Sequence, residues 1–379
     1  FDTNGVEQRL RVAVRHQWCR TPLCSTLKVS NKSVRQYDCR TLSGKQDQPE
    51  IFYSFTRCIN GFAAMLDEQA AEQLKSCVWP ESKILSIGAL NAVSRGITVV
   101  ASAGNDGPDE FTATNVAPWI FTIGAGTTDR DFTNTVLLGN YKRLKATSPS
   151  DSEDDKRRVS FNIISGTSMS CPHVAGIVGL LKSLHPDWSP AAIKSAIMTT
   201  ATRTANNGKH ILDAAGPNAT PFAYGAGHVR PNLAADPGLV YDLTINDYLN
   251  ILCHHNYNIS FIRSFGNASF TCPHNFSIAE FNYPSIIVLN LTDSTTATRR
   301  VKNVGTPGTY KVNVLPPPGI SVVVEPKRLP FAKLGEEKVY NVTFKPSVNG
   351  TKRTDYVYGE LIWSDKKHKV KTLLVVKLQ

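Results

Sequence analysis

The sequence predicts an α/β core with a parallel sheet and flanking helices, followed by an all-β sandwich. Three observations carry that prediction. Residues 96–105, GITVVASAGN, form a short apolar run ending in small residues, which suits a buried parallel strand. Residues 166–185 join a small-residue loop, GTSMSCPH, to VAGIVGLLKSLH, where Val174, Ile177, Val178, Leu181 and Leu184 recur at spacings of three and four. That spacing lays them on one face of a mostly apolar helix predicted to be buried. From Phe281 onward, the β-branched runs Ser285–Leu289, Thr309–Val314, Ser321–Glu325, Lys338–Phe344 and Leu373–Lys377 alternate with Pro/Gly turns. This is the pattern of an antiparallel sandwich.

Taken in order, residues 1–49 are polar and basic, without periodicity, and no fold is assigned to them. Residues 50–76 begin with alternating Ile51, Tyr53 and Phe55, a strand, and pass at Asp67-Glu68-Gln69-Ala70 into a helical pattern. Residues 77–245 hold the parallel-strand run and the serine-bearing helix. Within them, residues 141–158 are basic, then acidic, and read as an exposed loop. Ser189 and Pro190 suit the N-cap and first position of a second helix over Pro190–Met198. Residues 246–280 connect to the sandwich at 281–379.

The 379 residues are 41% apolar and 19% charged, enough for two or three globular cores. No apolar run reaches roughly 18 residues, so no membrane span is expected. The net charge of +11 has no dense basic run beyond Lys366-Lys367-His368-Lys369, and no nucleic-acid partner is expected. The eight cysteines include no Cys-x-x-Cys, and no Asp, Glu or His cluster has ligand spacing, so neither a metal nor a cofactor is expected. Asn-x-Ser/Thr sequons begin at Asn31, Asn218, Asn258, Asn267, Asn275, Asn290, Asn341 and Asn349. Their concentration after residue 217 favours a glycosylated, secreted protein. In that setting Cys253 and Cys272 could close a disulfide loop; the alternative is two free buried thiols. The chain opens on Phe1 with no charged start and apolar leader, so a secreted precursor is expected to extend further N-terminally.

The chemistry centres on Ser168. A serine at a helix start is ordinarily a cap, and Asn105, ahead of Asp106-Gly107-Pro108, is ordinarily a turn residue. The string Gly166-Thr167-Ser168-Met169-Ser170-Cys171-Pro172-His173 nevertheless resembles the serine motif of the subtilisin-like proteases, in the plant, cucumisin-like form. Val78-Trp79-Pro80-Glu81-Ser82, Val116-Ala117-Pro118-Trp119, Asp129-Arg130-Asp131-Phe132, Tyr224-Gly225-Ala226-Gly227-His228 and Asp236-Pro237-Gly238-Leu239-Val240-Tyr241-Asp242 are similar to the same family. Tyr53-Ser54-Phe55 and Asn60-Gly61-Phe62-Ala63-Ala64 resemble the end of its inhibitory propeptide, and residues 281–379 resemble its fibronectin type III-like domain.

The resemblance implies a subtilisin-like α/β core, here partial, with Ser168 as nucleophile and Asn105 as oxyanion donor. It implies a secreted endopeptidase of the plant apoplast or cell wall, with protein or peptide substrates and its own propeptide as partners. The family's Asp-Thr-Gly and His-Gly-Thr motifs are absent. Lys75-Ser76-Cys77 stands where the aspartate motif belongs, and Asp2-Thr3-Asn4-Gly5 carries an inserted Asn. The similarity therefore runs in colinear blocks separated by deletions, and the alternative is a catalytically inactive remnant. His173 is not expected to replace the missing base, because five positions along a helix turn it away from Ser168.

Overall fold

Strand pairing begins near the N-terminus. The computed structural model describes residues 9–15, 51–55, 60–66, 81–107, 111–127, 133–147, 165–213, 218–266, 269–347 and 356–378. Two units result, Phe1–Ala89 and Leu90–Gln379. In the first, β1 (Arg9–Arg15), β2 (Ile51–Phe55) and β3 (Asn60–Leu66) form a sheet in the order β1-β3-β2. Both pairings are antiparallel; Arg9 faces Leu66, and Phe55 faces Gly61. The sequence pattern missed β1 and β3. Gly61, Ala63 and Ala64 are weak strand formers, and β3 forms because it is paired on both sides. The helix predicted from Asp67 lies outside the described residues. A helix over Glu81–Val93 follows.

In the second unit, β4 (Val100–Ser102) pairs in parallel with β5 (Phe121–Ile123). The predicted strand is real but short, and half-buried rather than buried, because β5 is its one partner strand among the described residues. β6 (Thr133–Leu137) and β7 (Arg143–Thr147) pair as an antiparallel hairpin, and β7 falls within residues 141–158, where an exposed loop was expected. The serine helix spans Thr167–Leu184. It buries Val174, Val178 and Leu181 against Phe121, Ile123 and the helix Pro190–Thr200. One flank is bare, contrary to expectation: Leu184, expected on the buried face, is 62% exposed, and Leu180 is 66% exposed. Ser189 caps the next helix by accepting from Ala192 N at 2.9 Å, and Pro190 fills its first turn.

The sandwich has two sheets. One runs β12-β14-β10-β8, from Ile320–Glu325, Glu337–Pro346, Thr295–Asn303 and Leu239–Val240. The other runs β13-β11-β15-β16-β9, from Arg328–Phe331, Gly308–Leu315, Tyr356–Ser364, Lys369–Leu378 and Ser285–Leu291. Tyr310, Tyr340, Phe344, Trp363 and Leu374 fill the space between them. Two features depart from the sequence pattern. β9 pairs with β16 in parallel, inside a sheet expected to be wholly antiparallel. β8, well upstream of residue 281, is an edge strand of the sandwich, with Val240 opposite Lys302.

β8 also ties the sandwich to the α/β core. Tyr241 N donates to Ser195 Oγ at 2.8 Å, while the Tyr241 hydroxyl meets those of Tyr340 and Thr372. The helix Pro190–Thr200 lies against β16, and Lys371 Nζ donates to Ala201 O at 3.1 Å.

Candidate active site

Ser168 sits at the second position of its helix, and Gly166 is the N-cap. Gly166 has φ 148°, a region that favours glycine, and a Cβ there would come within 3.5 Å of the Asn105 amide. The serine is therefore not the cap that a Thr-Ser pair usually supplies, and its side chain is exposed. Pro172, inside the helix, has no N–H to return to the Ser168 carbonyl.

Asn105 stands just beyond the C-terminal end of β4, also exposed. Gly104, at φ 88°, makes the turn that brings it there. Ala103 N donates to Ile123 O at 2.9 Å, Thr114 N to Ala103 O at 2.7 Å, and Asn115 Nδ2 to Ser102 O at 2.9 Å, fixing the strand end. Asn105 Oδ1 accepts from Thr167 N at 2.9 Å and lies 3.1 Å from Thr167 Oγ1, which is also 3.1 Å from Gly104 O. The side-chain oxygen is thus consumed in holding the residue before the serine. Asn105 Nδ2 and the Ser168 backbone N–H are left without hydrogen-bond partners among the described residues. Two unpaired N–H donors beside an exposed hydroxyl are the elements needed to receive an oxyanion.

A buried lysine stiffens the frame. Lys194, on the helix Pro190–Thr200, donates to Ile120 O at 2.7 Å and Pro118 O at 3.1 Å, just ahead of β5. Its Nζ lies 4.5 Å from the Tyr283 ring centroid. Burial pushes its pKa down to about 7.

Among the described residues, no hydrogen bond reaches Ser168 Oγ. His173 Nδ1 is 2.6 Å from Met169 O, so it donates to its own helix. His185 Nε2 is 2.9 Å from Ala235 O, and its ring stacks on Trp188. His368 sits between Asp236 and Asp365. Cys171 is half-buried, and burial raises its pKa, which disfavours the thiolate. No group of three metal-ligating side chains occurs among the described residues. Thr167 and Lys194 were missed in the sequence; neither is a reactive group, and only the threonine, by adjacency to Ser168, carried any signal.

Of the remaining candidates, Cys253 and Cys272 are joined as a disulfide, with Cα atoms 5.7 Å apart. Asn218, Asn258, Asn275, Asn290 and Asn341 are exposed. Asn31, Asn267 and Asn349 lie outside the described residues.

Three family models match the chain. The peptidase inhibitor I9 model covers residues 21–77, including part of the N-terminal stretch left unassigned above. The subtilase family model covers 71–227, and a fibronectin type-III model covers 280–376. Subtilisin-like protease SBT5.4 of Arabidopsis thaliana is 51% identical over 235 residues, 62% of this chain and 30% of that protein. Subtilisin-like protease SBT5.3 of the same plant is 54% identical over the same shares. The CO(2)-response secreted protease of Arabidopsis thaliana is 30% identical over 470 residues, 77% of this chain and 61% of that protein. The chain thus spans about a third of the length of the first two relatives. The serine loop fixed by Asn105, the matched order of inhibitor, peptidase and fibronectin type-III segments, and these relatives together make the chain a member of the plant subtilase family.

Proposed function

We propose that this chain carries the nucleophile and oxyanion half of a serine endopeptidase site, with Ser168 attacking the peptide carbonyl. The Asn105 Nδ2 and Ser168 N–H groups would then stabilise the negative charge of the tetrahedral intermediate. The observation that carries this reading is the bond from Thr167 N to Asn105 Oδ1, which leaves the Asn105 amide N–H₂ for substrate. In a bacterial subtilisin, loss of such an asparagine costs about 2.7–4 kcal/mol of transition-state stabilisation. A serine hydroxyl also needs a base, and a base needs an orienting carboxylate. Of the described histidines, His173 and His185 bond to backbone carbonyls, His368 pairs with aspartates, and none is hydrogen-bonded to Ser168 Oγ, so on this reading the chain by itself is a non-catalytic member of its family. That second reading rests on the unpartnered Ser168 hydroxyl.

A fluorophosphonate probe decides between them. We expect no labelling of the full chain above the level of Ser168→Ala. Labelling lost in Ser168→Ala and on denaturation would show that a working base is present.

The same proposal covers location and processing. We infer a secreted glycoprotein with protein or peptide substrates and its own inhibitor segment as partner. Support comes from the exposed sequons: Asn258 and Asn341 engage their Oδ1 atoms with Ser260 N and Thr298 Oγ1, and so leave Nδ2 available. No described helix is long and apolar enough to cross a membrane. Glycosidase treatment of protein from a secretory host should lower its mass; an unchanged mass would refute glycan occupancy.

A further inference from the structure

The outer face of the five-stranded sheet, where the α/β core meets the sandwich, collects positive charge. Lys369 and Lys371 alternate along β16 opposite Ser364 and Ile362 of β15, and Glu360 shares that face two residues from Ile362. Arg203, from the core, pairs with Glu360 at 2.8 Å. Burial pushes the Lys371 ammonium below the usual lysine range; Glu360 opposes this, while Arg203, Arg230 and Lys369 add to it. One carboxylate therefore answers four cations. Arg230 and Lys369 are exposed, and their side chains have no ion-pair or hydrogen-bond partner among the described residues. Holding like charges around a half-buried lysine costs free energy that a bound anion would remove.

An aromatic cluster adjoins these cations. Phe222 lies 5.0 Å from Tyr356 and 6.3 Å from Tyr358, ring centre to ring centre, and Phe111 lies 5.6 Å from Phe222. Tyr356, Tyr358 and Glu360 alternate on one face of β15, so the rings begin roughly 7 Å from the Arg203–Glu360 pair at about 3.3 Å per residue. Phe111 is 76% exposed and has φ 66°, a costly conformation for a bulky residue.

We propose that this face binds an acidic polysaccharide, with uronate carboxylates on Arg203, Arg230, Lys369 and Lys371 and a pyranose ring against Phe111 and Phe222. β15 and β16 are interior strands, so their backbone groups are paired and cannot accept a peptide strand. A single-stranded nucleic acid needs a series of open aromatic faces or parallel-ring slots on which successive bases stack. Phe222 and Tyr356 meet at 72°, and Lys377 Nζ covers the Tyr356 ring at 4.9 Å. A sugar needs a single apolar ring face, and Phe111 offers one.

The test is calorimetric titration of the full chain with a defined oligogalacturonate, its neutral methyl ester, and a single-stranded DNA of equal charge. Oligogalacturonate should bind and weaken with added salt, while the ester should not bind. The double variant Arg230→Gln/Lys369→Gln should lose at least about tenfold in affinity, since charge-assisted contacts are removed. Both side chains are exposed and unpaired, so the fold should be unaffected. Lys369→Arg should retain binding, and Phe111→Gly, which relieves the backbone, should weaken it. Equal binding of the ester, DNA binding as tight as the oligosaccharide, or an undiminished double variant would each overturn the proposal.

Discussion

Ser168 owes its position to its neighbour's backbone. Thr167 N is one of the free donors of a helix start, and Asn105 Oδ1 satisfies it across 62 residues of sequence. Asn105→Ala should therefore speed hydrogen exchange at the Thr167 amide, as well as remove an oxyanion donor. A serine loop unchanged in exchange would show that the asparagine does not position it. Lys194 makes a second residue-scale prediction. Its pKa is lowered to about 7, whereas an unfolded lysine titrates near 10.4. Between those values the unfolded chain binds more protons, so this site makes the protein more stable as pH rises from about 7 to 10. Denaturant midpoints across that window should climb, and Lys194→Met should flatten the climb. Met also leaves the Pro118 and Ile120 carbonyls without a donor, at a cost of about 1–3 kcal/mol.

The serine helix and the sandwich edge treat their glycines differently. A Cβ at Gly176 or Gly179 would meet nothing within 4 Å, and neither has a positive φ. Replacing either by alanine should stabilise the protein by about 0.5–1 kcal/mol, seen as a higher melting temperature. Gly238 has φ 79°, and a Cβ there would lie 2.3 Å from the Tyr310 hydroxyl and 2.7 Å from the His368 ring. Gly238→Ala should destabilise by about 3 kcal/mol or more, since strain and overpacking add. The Cys253–Cys272 link closes a loop of sequence separation 19. Its loss should cost about 3 kcal/mol by chain entropy, measured by denaturation with and without reductant.

At the scale of the whole molecule, the sandwich extends upstream of its own composition change. β8 and Tyr241 complete it, so a fragment beginning at residue 236 should melt higher than one beginning at residue 281. Equal melting temperatures would show that β8 contributes nothing. Acid should loosen the same junction. The Lys367 ammonium bonded to Asp236 holds that carboxyl below its ordinary pKa. Burial works against Asp365, but His368, through its backbone N–H and ring, holds that carboxyl low as well. A depressed carboxylate contributes stability that is complete above the unfolded value near 3.9 and is lost as pH falls through the folded one. Asp236→Asn should remove part of this acid sensitivity, read from unfolding midpoints between about pH 5 and 2.

Much of the molecule was legible in local pattern. Ser168, Asn105, the capped helix at Ser189 and five of the sandwich strands are written in short strings whose residue types have one favoured local geometry. β3, β8 and β13 were not, because weak strand formers, or runs only two or four residues long, acquire their conformation from a partner strand; β10 and β15 were missed although each is nine residues long and β15 is rich in strand formers, so length and propensity do not account for them. The bare side of the serine helix was misread for a related reason: spacing marks which residues share a face, while burial depends on whether another element lies against it. The residues themselves thus determined the family, the serine loop and the serial order of α/β core and sandwich. Tertiary structure alone decided that Asn105 spends its oxygen on Thr167, that β8 belongs to the sandwich, and that four cations meet one carboxylate, because each joins groups remote in sequence whose distance no local pattern encodes.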